Sequence, residues 1–289
     1  MRWDRSHRSN DVIDERGAGG TSAAGVGGVG ILFWLASRFG LPGLLLGGAV
    51  LAGVYFFSPA TSTERQGLTA REDSAASSSD EASRFVGFVL DDVQSTWERI
   101  FAERGASYSR AKLVLFSGSV RSGCGIGSAQ VGPFYCPNDR RVYIDLDFYR
   151  ALARRFGAPG DFAQAYVIAH EVGHHVQNLI GDRDSTRSLV RGTGRENALS
   201  IQTELQADCF AGVWAHSTEQ RDILQAGDIE EGLRAAAAVG DDTLQRETEG
   251  RVSPESWTHG SSAQRVAWFK RGYTGGSLDA CDTRAESAR

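Results

Sequence analysis

Apolar residues recur three or four positions apart over 84–104 (Phe85, Val89, Val93, Trp97, Ile100, Phe101), which is the spacing of one face of a helix. Two short apolar runs follow, KLVLFSG at 112–118 and RVYIDL at 141–146, and read as strands. The Gly/Cys/Pro-containing stretch 119–140 between them reads as a loop, and 147–156 as a short helix. Helical spacing returns in Val167, Ile168, Val172, Val176 and Leu179, with Asp161 as a start signal and Gly181 as a stop. Further helices are predicted over 197–216, over 228–239 with Asp228 as N-cap, and from Ser261 or Ser262 through Lys270, with Val266 and Phe269 on the apolar face. The stretches 182–196, 240–258 and 272–289 are polar or glycine-rich and read as loops and tail.

The N-terminal part has a different pattern. Residues 1–22 are charged and glycine-rich, so they read as a disordered tail in which His7 is a solvated side chain. From Ala23 to Phe57 the one charged residue is Arg38, and Phe39–Phe57 is an uncharged run of about 28 Å as a helix, enough to span a bilayer core. The run starts too deep for an ordinary signal peptide and reads as an uncleaved anchor within 23–57. Arg2, Arg5, Arg8, Arg16 and Arg38 precede it, while Arg65 and Arg71 follow closely. That bias puts the N-terminus in the cytoplasm and the rest outside. Gly43 and Gly47 form a GxxxG pair, a feature of weakly dimerising spans. Residues 58–83 are rich in Ser, Ala, Thr and charge and read as a flexible linker, so the folded domain is expected over 84–289.

The expected fold class is therefore α+β: a mainly helical domain with a small β-sheet, preceded by one transmembrane helix. The formal net charge of −5 comes with both signs dispersed, which argues against a nucleic-acid partner. Four cysteines, Cys124, Cys136, Cys209 and Cys281, include no C-x-x-C pair, which speaks against a cysteine zinc site or a thioredoxin-like motif. Their even number suits disulfides if the domain is exported, and Cys124–Cys136 could close a short loop.

Chemistry concentrates in AYVIAHEVGHHVQNLIG, residues 165–181, which contains H-E-x-x-H. On a helix His170 and His174 lie one turn apart on one face and can share a metal ion; Glu171 lies beside the first ligand as a general base for the attacking water. A catalytic zinc takes a third protein ligand and keeps a position open. Glu204 in TELQAD supplies that ligand, and Asp208, four residues on, suits the carboxylate that takes the other N–H of His170. Gly173, inside the motif helix, suggests close approach by a neighbouring backbone. His175 is turned about 100° from His174, towards a structural or solvent-facing position. His216 ends a helix, where the dipole favours an imidazole. His259 in THGSSAQR has three roles open to it: fourth ligand, hydrogen-bond donor to the transition state, or loop residue without a role. The donor role is favoured because three ligands are already found.

The segments AYVIAHEVGHHVQNLIG, TELQADCFAGVWAH, GDIEEGLRAAAAVGDDTLQ and THGSSAQRVAWFKRGY, together with RSNDVIDERG and VGPFYCPNDRRVYIDLDFY, resemble the neutral zinc metallopeptidase family of bacterial membrane proteins. That resemblance implies a membrane-anchored zincin with Zn2+ on two histidines and a glutamate, acting on peptide or protein substrates. The order H-E-x-x-H, E-x-x-x-D, then His and Arg is also similar, over a shorter stretch, to membrane zinc proteases that process prenylated peptides. This similarity implies that His259 and Arg265 lie near the transition state. An exported domain further implies disulfides Cys124–Cys136 and Cys209–Cys281. The competing reading is a catalytically silent, zinc-binding exported scaffold. An aminopeptidase would need an acidic cluster for the substrate amine, and no G-x-M-E-N-like motif is present.

Overall fold

The two apolar strands lie side by side at the centre of one sheet, because strands buried on both faces are the ones that read as continuous apolar runs. In the computed structural model, which describes residues 1–16, 62–128, 132–155, 157–181 and 196–283, β1 is Val12–Asp14, α1 Ser62–Glu103, β2 Lys112–Phe116, β3 Ser119–Ser122, β4 Gly125–Ser128, β5 Phe134–Cys136 and β6 Arg141–Asp145. The sheet order is β1-β2-β6-β5, parallel except for β5, and β3 and β4 form a separate antiparallel hairpin. Helices follow: α2 Leu146–Arg155, α3 Asp161–Leu179, α4 Glu196–Gln220, α5 Asp228–Ala238, α6 Asp241–Glu249 and α7 Ser262–Gly275. The α+β, mainly helical reading holds. The starts of α3 and α5 fall one residue from expectation, with Gly160 and Gly227 as N-caps and the aspartates in the first turn.

Three expectations are corrected. The first concerns the tail. Residues 1–16 belong to one compact unit with 81–289. The N-terminal ammonium of Met1 lies 2.7 Å from Asp161 Oδ1, Trp3 packs edge-on to Phe85, and His7 is paired with Asp91 at 2.8 Å. Val12, Ile13 and Asp14 pair in register with Leu113, Val114 and Leu115. A hydrogen-bonded sheet does not continue across a bilayer, so residues 1–16 and the domain occupy the same side of any membrane. That pairing does not fit an orientation with the N-terminus on one side of a membrane and the domain on the other. The span 39–57 and the GxxxG pair themselves lie outside the described residues, among which no helix is long and apolar enough to cross a membrane.

The second correction concerns the linker. Its residues from Ser62 onward are the start of α1, which is about 63 Å long. Few large apolar residues mark the segment in sequence, but its Ala, Glu, Gln and Arg favour a helix. Third, part of the 240–258 loop is α6, whose one strongly apolar residue is Leu244. It is set off by Gly240 before its acidic first turn and by left-handed Gly250 after it.

Helix α4 is packed between α3 and α7, and α5 closes against both α3 and α7. Close approach is written into two places. A Cβ on Gly173 of α3 would stand 3.0 Å from the Ala207 carbonyl of α4, the backbone proximity the sequence suggests. Where α4 crosses α7, Gly212 and Gly272 face the other helix's backbone directly, and a Cβ on either would overlap it. The core continues into Trp97, Phe210, Trp214 and Phe162, all buried, with Trp97 edge-on to Phe210 and Phe162 stacked on Trp214. The disulfides Cys124–Cys136 and Cys209–Cys281 are both formed, the second tying the C-terminal segment to α4.

Candidate metal centre

Helix α3 carries a stripe of polar side chains, Tyr166, His170, His174 and Gln177, at spacings of four, four and three. Facing it, α4 carries Glu204 and Asp208. Ligand atoms of His170, His174 and Glu204 all lie within 4.8 Å of one another. His170 Nε2 is 3.1 Å from Glu204 Oε2, and His174 Nε2 is 3.4 Å from Glu204 Oε1.

The other ring nitrogen of each histidine is tied off. His170 Nδ1 donates to Asp208 Oδ1 at 2.9 Å, as expected from the sequence, and His174 Nδ1 donates to Gln177 Oε1 at 2.9 Å. Gln177 is itself fixed, its amide donating to Thr203 O at 2.7 Å and Gln206 Oε1 at 2.9 Å. With both Nδ1 protons committed, both Nε2 lone pairs are left to point at one place beside a carboxylate. Two imidazoles and one carboxylate, each oriented by an outer partner, is a donor set that fits zinc with an open position.

Electrostatics agree with this arrangement. Burial works against the Glu204 carboxylate, but His174 and His170 outweigh it and hold its pKa well below the usual range. Burial also disfavours a charged His170, yet Asp208 reverses the balance and raises the imidazole to about 9. Such a ring is a stronger donor to a cation. Burial would raise Asp208 as well, and Arg265 and His170 together keep it ionised.

Arg265 requires a correction. It is 3% exposed, and its guanidinium is spent on Asp208, with Nε to Oδ2 at 2.8 Å and Nη2 to Oδ1 at 2.9 Å. It also donates to Val239 O at 3.1 Å and Tyr166 Oη at 3.3 Å, and the Tyr166 hydroxyl donates to Asp208 in turn. Arg265 therefore holds the carboxylate that holds His170, and its Nη2 also lies 3.2 Å from His170 Nδ1 and 3.4 Å from His170 Nε2. Its apparent pairing with His259 in the sequence reflects the turn of α7, which carries Arg265 inward while leaving the loop outside.

Glu171 is buried beside His170. The Tyr149 hydroxyl is buried with no hydrogen-bond partner among the described residues, and the Glu171 charge adds to the burial that raises its pKa. His259 lies on the loop between α6 and α7, outside the group of converging ligand atoms, which does not favour a fourth-ligand role. His175 is structural: fully buried, it bridges Tyr135 Oη at 3.0 Å and Ser109 O at 2.5 Å, bolting α3 to β5. His216 lies one turn before the end of α4 and donates to Tyr273 O of α7 at 2.8 Å.

Tyr166 and Gln177 were legible from the sequence, being on the stripe that contains both histidines. Asp241, the partner of His259 at 3.0 Å, carries no local signal, since it sits 18 residues away from it.

The chain is similar to known proteins along much or all of its length. It is 45% identical over 293 residues to "Uncharacterized protein YpfJ" of Escherichia coli K12, covering 99% of this chain and 100% of that one. It is 44% identical over 214 residues to "Uncharacterized protein Rv2575" of Mycobacterium tuberculosis H37Rv, covering 70% of this chain and 72% of that one. No solved structure matches. A family model described as "Putative neutral zinc metallopeptidase" matches residues 1–284, and the chain belongs to that family.

Proposed function

We propose that the protein is a zinc-dependent peptidase, with His170, His174 and Glu204 holding the metal and Glu171 as general base. The observation that carries this reading is the pair of histidines whose Nδ1 protons are both committed elsewhere, so that both Nε2 atoms converge on one carboxylate within 4.8 Å. When bound, zinc supplies Lewis-acid polarisation of the scissile carbonyl and acidifies water. The residues do the rest. Glu171 takes the proton of the attacking water and delivers it to the leaving amine. His259 donates to the carbonyl oxygen as charge develops on it. Asp208, clamped by Arg265 and Tyr166, keeps His170 in its Nδ1–H form, and Gln177 does so for His174.

The reading extends to location. The apolar stretch 39–57 attaches the chain to a membrane, with both flanks on the side of the folded body. The two disulfides favour an oxidising, extracytoplasmic compartment.

The test is zinc quantification with peptide-library cleavage by the full chain, wild type against Glu171→Gln. The expected result is stoichiometric zinc in both and cleavage in wild type alone. Cleavage retained by Glu171→Gln would overturn the assignment of the base. Zinc without cleavage by wild type would favour the silent scaffold.

A further inference from the structure

The loop Thr258–Gly260 is wound around one carboxylate. Asp241, the first residue of α6, is buried, and its Oδ2 accepts the backbone N–H groups of Thr258 at 2.8 Å, His259 at 2.7 Å and Gly260 at 3.0 Å. Its Oδ1 lies 3.0 Å from His259 Nδ1. Asp242 secures the far end of the same loop, its Oδ1 accepting from Ser262 N at 2.7 Å and Ser262 Oγ at 2.8 Å. An ionised carboxylate has no proton to give, so His259 Nδ1 is the donor to Oδ1, and the Thr258 hydroxyl, 3.0 Å from the same nitrogen, can accept from it as well. Nε2, across the ring, is then the atom that His259 presents outward, on a side chain that is 47% exposed.

The loop also lies on the helix that carries Glu204. Gly260, at φ +88°, packs so closely that a Cβ would stand 3.2 Å from Ile201 and 3.4 Å from Leu205. The charged groups acting on the imidazole are Asp241, Glu204 and Arg265; the Asp241 hydrogen bond is the strongest influence and raises the pKa against burial.

We propose that Asp241 is a positioning residue for the reaction: its carboxylate fixes His259 in the Nδ1–H form and turns Nε2 toward the substrate side of the His170–His174–Glu204 centre. The proposal rests on the peptidase reading above. As an imidazolium, His259 donates Nε2–H to the carbonyl oxygen. Once neutral it presents a lone pair to that oxygen and the stabilisation is lost. In Asp241→Asn the amide oxygen must stay with the three N–H donors, so the amide N–H meets Nδ1 and the neutral ring carries its proton on Nε2.

The experiment is nitrogen-15 NMR of the imidazole of His259 in the full zinc-loaded chain, beside zinc content and the pH profile of reporter-peptide cleavage. Wild type is expected in the Nδ1–H form above the histidine pKa. Asp241→Asn is expected in the Nε2–H form with unchanged zinc. Its kcat should be about ten- to a hundredfold lower near neutrality, the range for a group that acts through a partner. It should also lack the alkaline fall in rate that wild type shows. His259→Ala and the double variant should lose the same factor, about 10²–10³, because the pair acts as a unit.

A wild-type His259 in the Nε2–H form overturns the proposal whether or not the variant folds. So does Asp241→Asn with an unchanged tautomer, with wild-type kcat, or with lost zinc. The Nε2–H form alongside normal cleavage would count against Asp241 alone; the Nδ1–H form in a chain that cleaves nothing would count against the peptidase reading alone.

Discussion

The ligand side of the site and the His259 side are built on opposite plans. On the ligand side every group is held more than once: Asp208 alone takes Arg265, Tyr166 and His170, all of them buried. On the His259 side one carboxylate holds three backbone N–H groups and a ring that is half in water. The difference follows from what each side must do. Metal ligands have to keep a fixed geometry, which buried helices enforce; a donor to a substrate has to stay reachable, which a loop allows. Damage should therefore spread widely on the first side and stay local on the second.

The largest effect should come from Glu171→Gln, which removes the base and leaves the ligands in place. Cleavage is expected to fall about 10²–10⁴-fold at constant zinc, measured by kcat/KM and elemental analysis. Next, Asp208→Ala strands the Arg265 guanidinium in the core. It should cost about 3–5 kcal/mol in denaturant unfolding, together with about 10–100-fold in zinc affinity by chelator competition. Gln177→Leu breaks a smaller knot. It removes the acceptor of the His174 Nδ1–H and the side-chain bond to Thr203 O, and should cost about 1–3 kcal/mol by the same unfolding measurement. If Gln177→Leu proved as damaging as Asp208→Ala, the ligand side would be held by both histidines' partners equally.

The smallest effect is on the other side and depends on pH. His259 has a raised pKa, so its contribution to stability is full below about 6.5 and fades as pH rises through the folded value. Asp241 has a lowered one: burial opposes ionisation but the His259 hydrogen bond wins, so its contribution is present above about 3.8 and fades as pH falls further. The pair should therefore stabilise most between about pH 4 and 6.5, by no more than about 1 kcal/mol because the His259 ring is half exposed. The stability difference between wild type and His259→Ala should peak there and shrink toward pH 9. A difference constant across this range would show that the loop is held by the backbone contacts alone.

What the sequence made legible depended on periodicity. The candidate ligands on α3 and α4, the central strands and the serine start of α7 all follow from spacing within one element. Asp208 was readable because the chemistry of a bound histidine asks for a carboxylate. Arg265 was misread because a basic residue near a histidine looks the same in sequence whether the helix turns it inward or outward. β1 is three residues long, too short for any period, and its pairing partner is about a hundred residues away. The same distance problem hid Asp241. α6 was missed because Leu244 alone is too little to show a period.

The pairing of β1 with β2 bears on how the folded body can be handled in isolation. Cutting the chain near residue 81 would strip the sheet of an edge strand, bare the backbone of β2, and uncover Phe85 where Trp3 now lies. Such a fragment offers an unpaired strand beside an apolar patch, which invites aggregation whatever becomes of the metal centre. A soluble version is better made by internal deletion, joining residue 16 to residue 81, than by truncation. The first sixteen residues thus behave as a component of the folded body that happens to be translated before everything it touches.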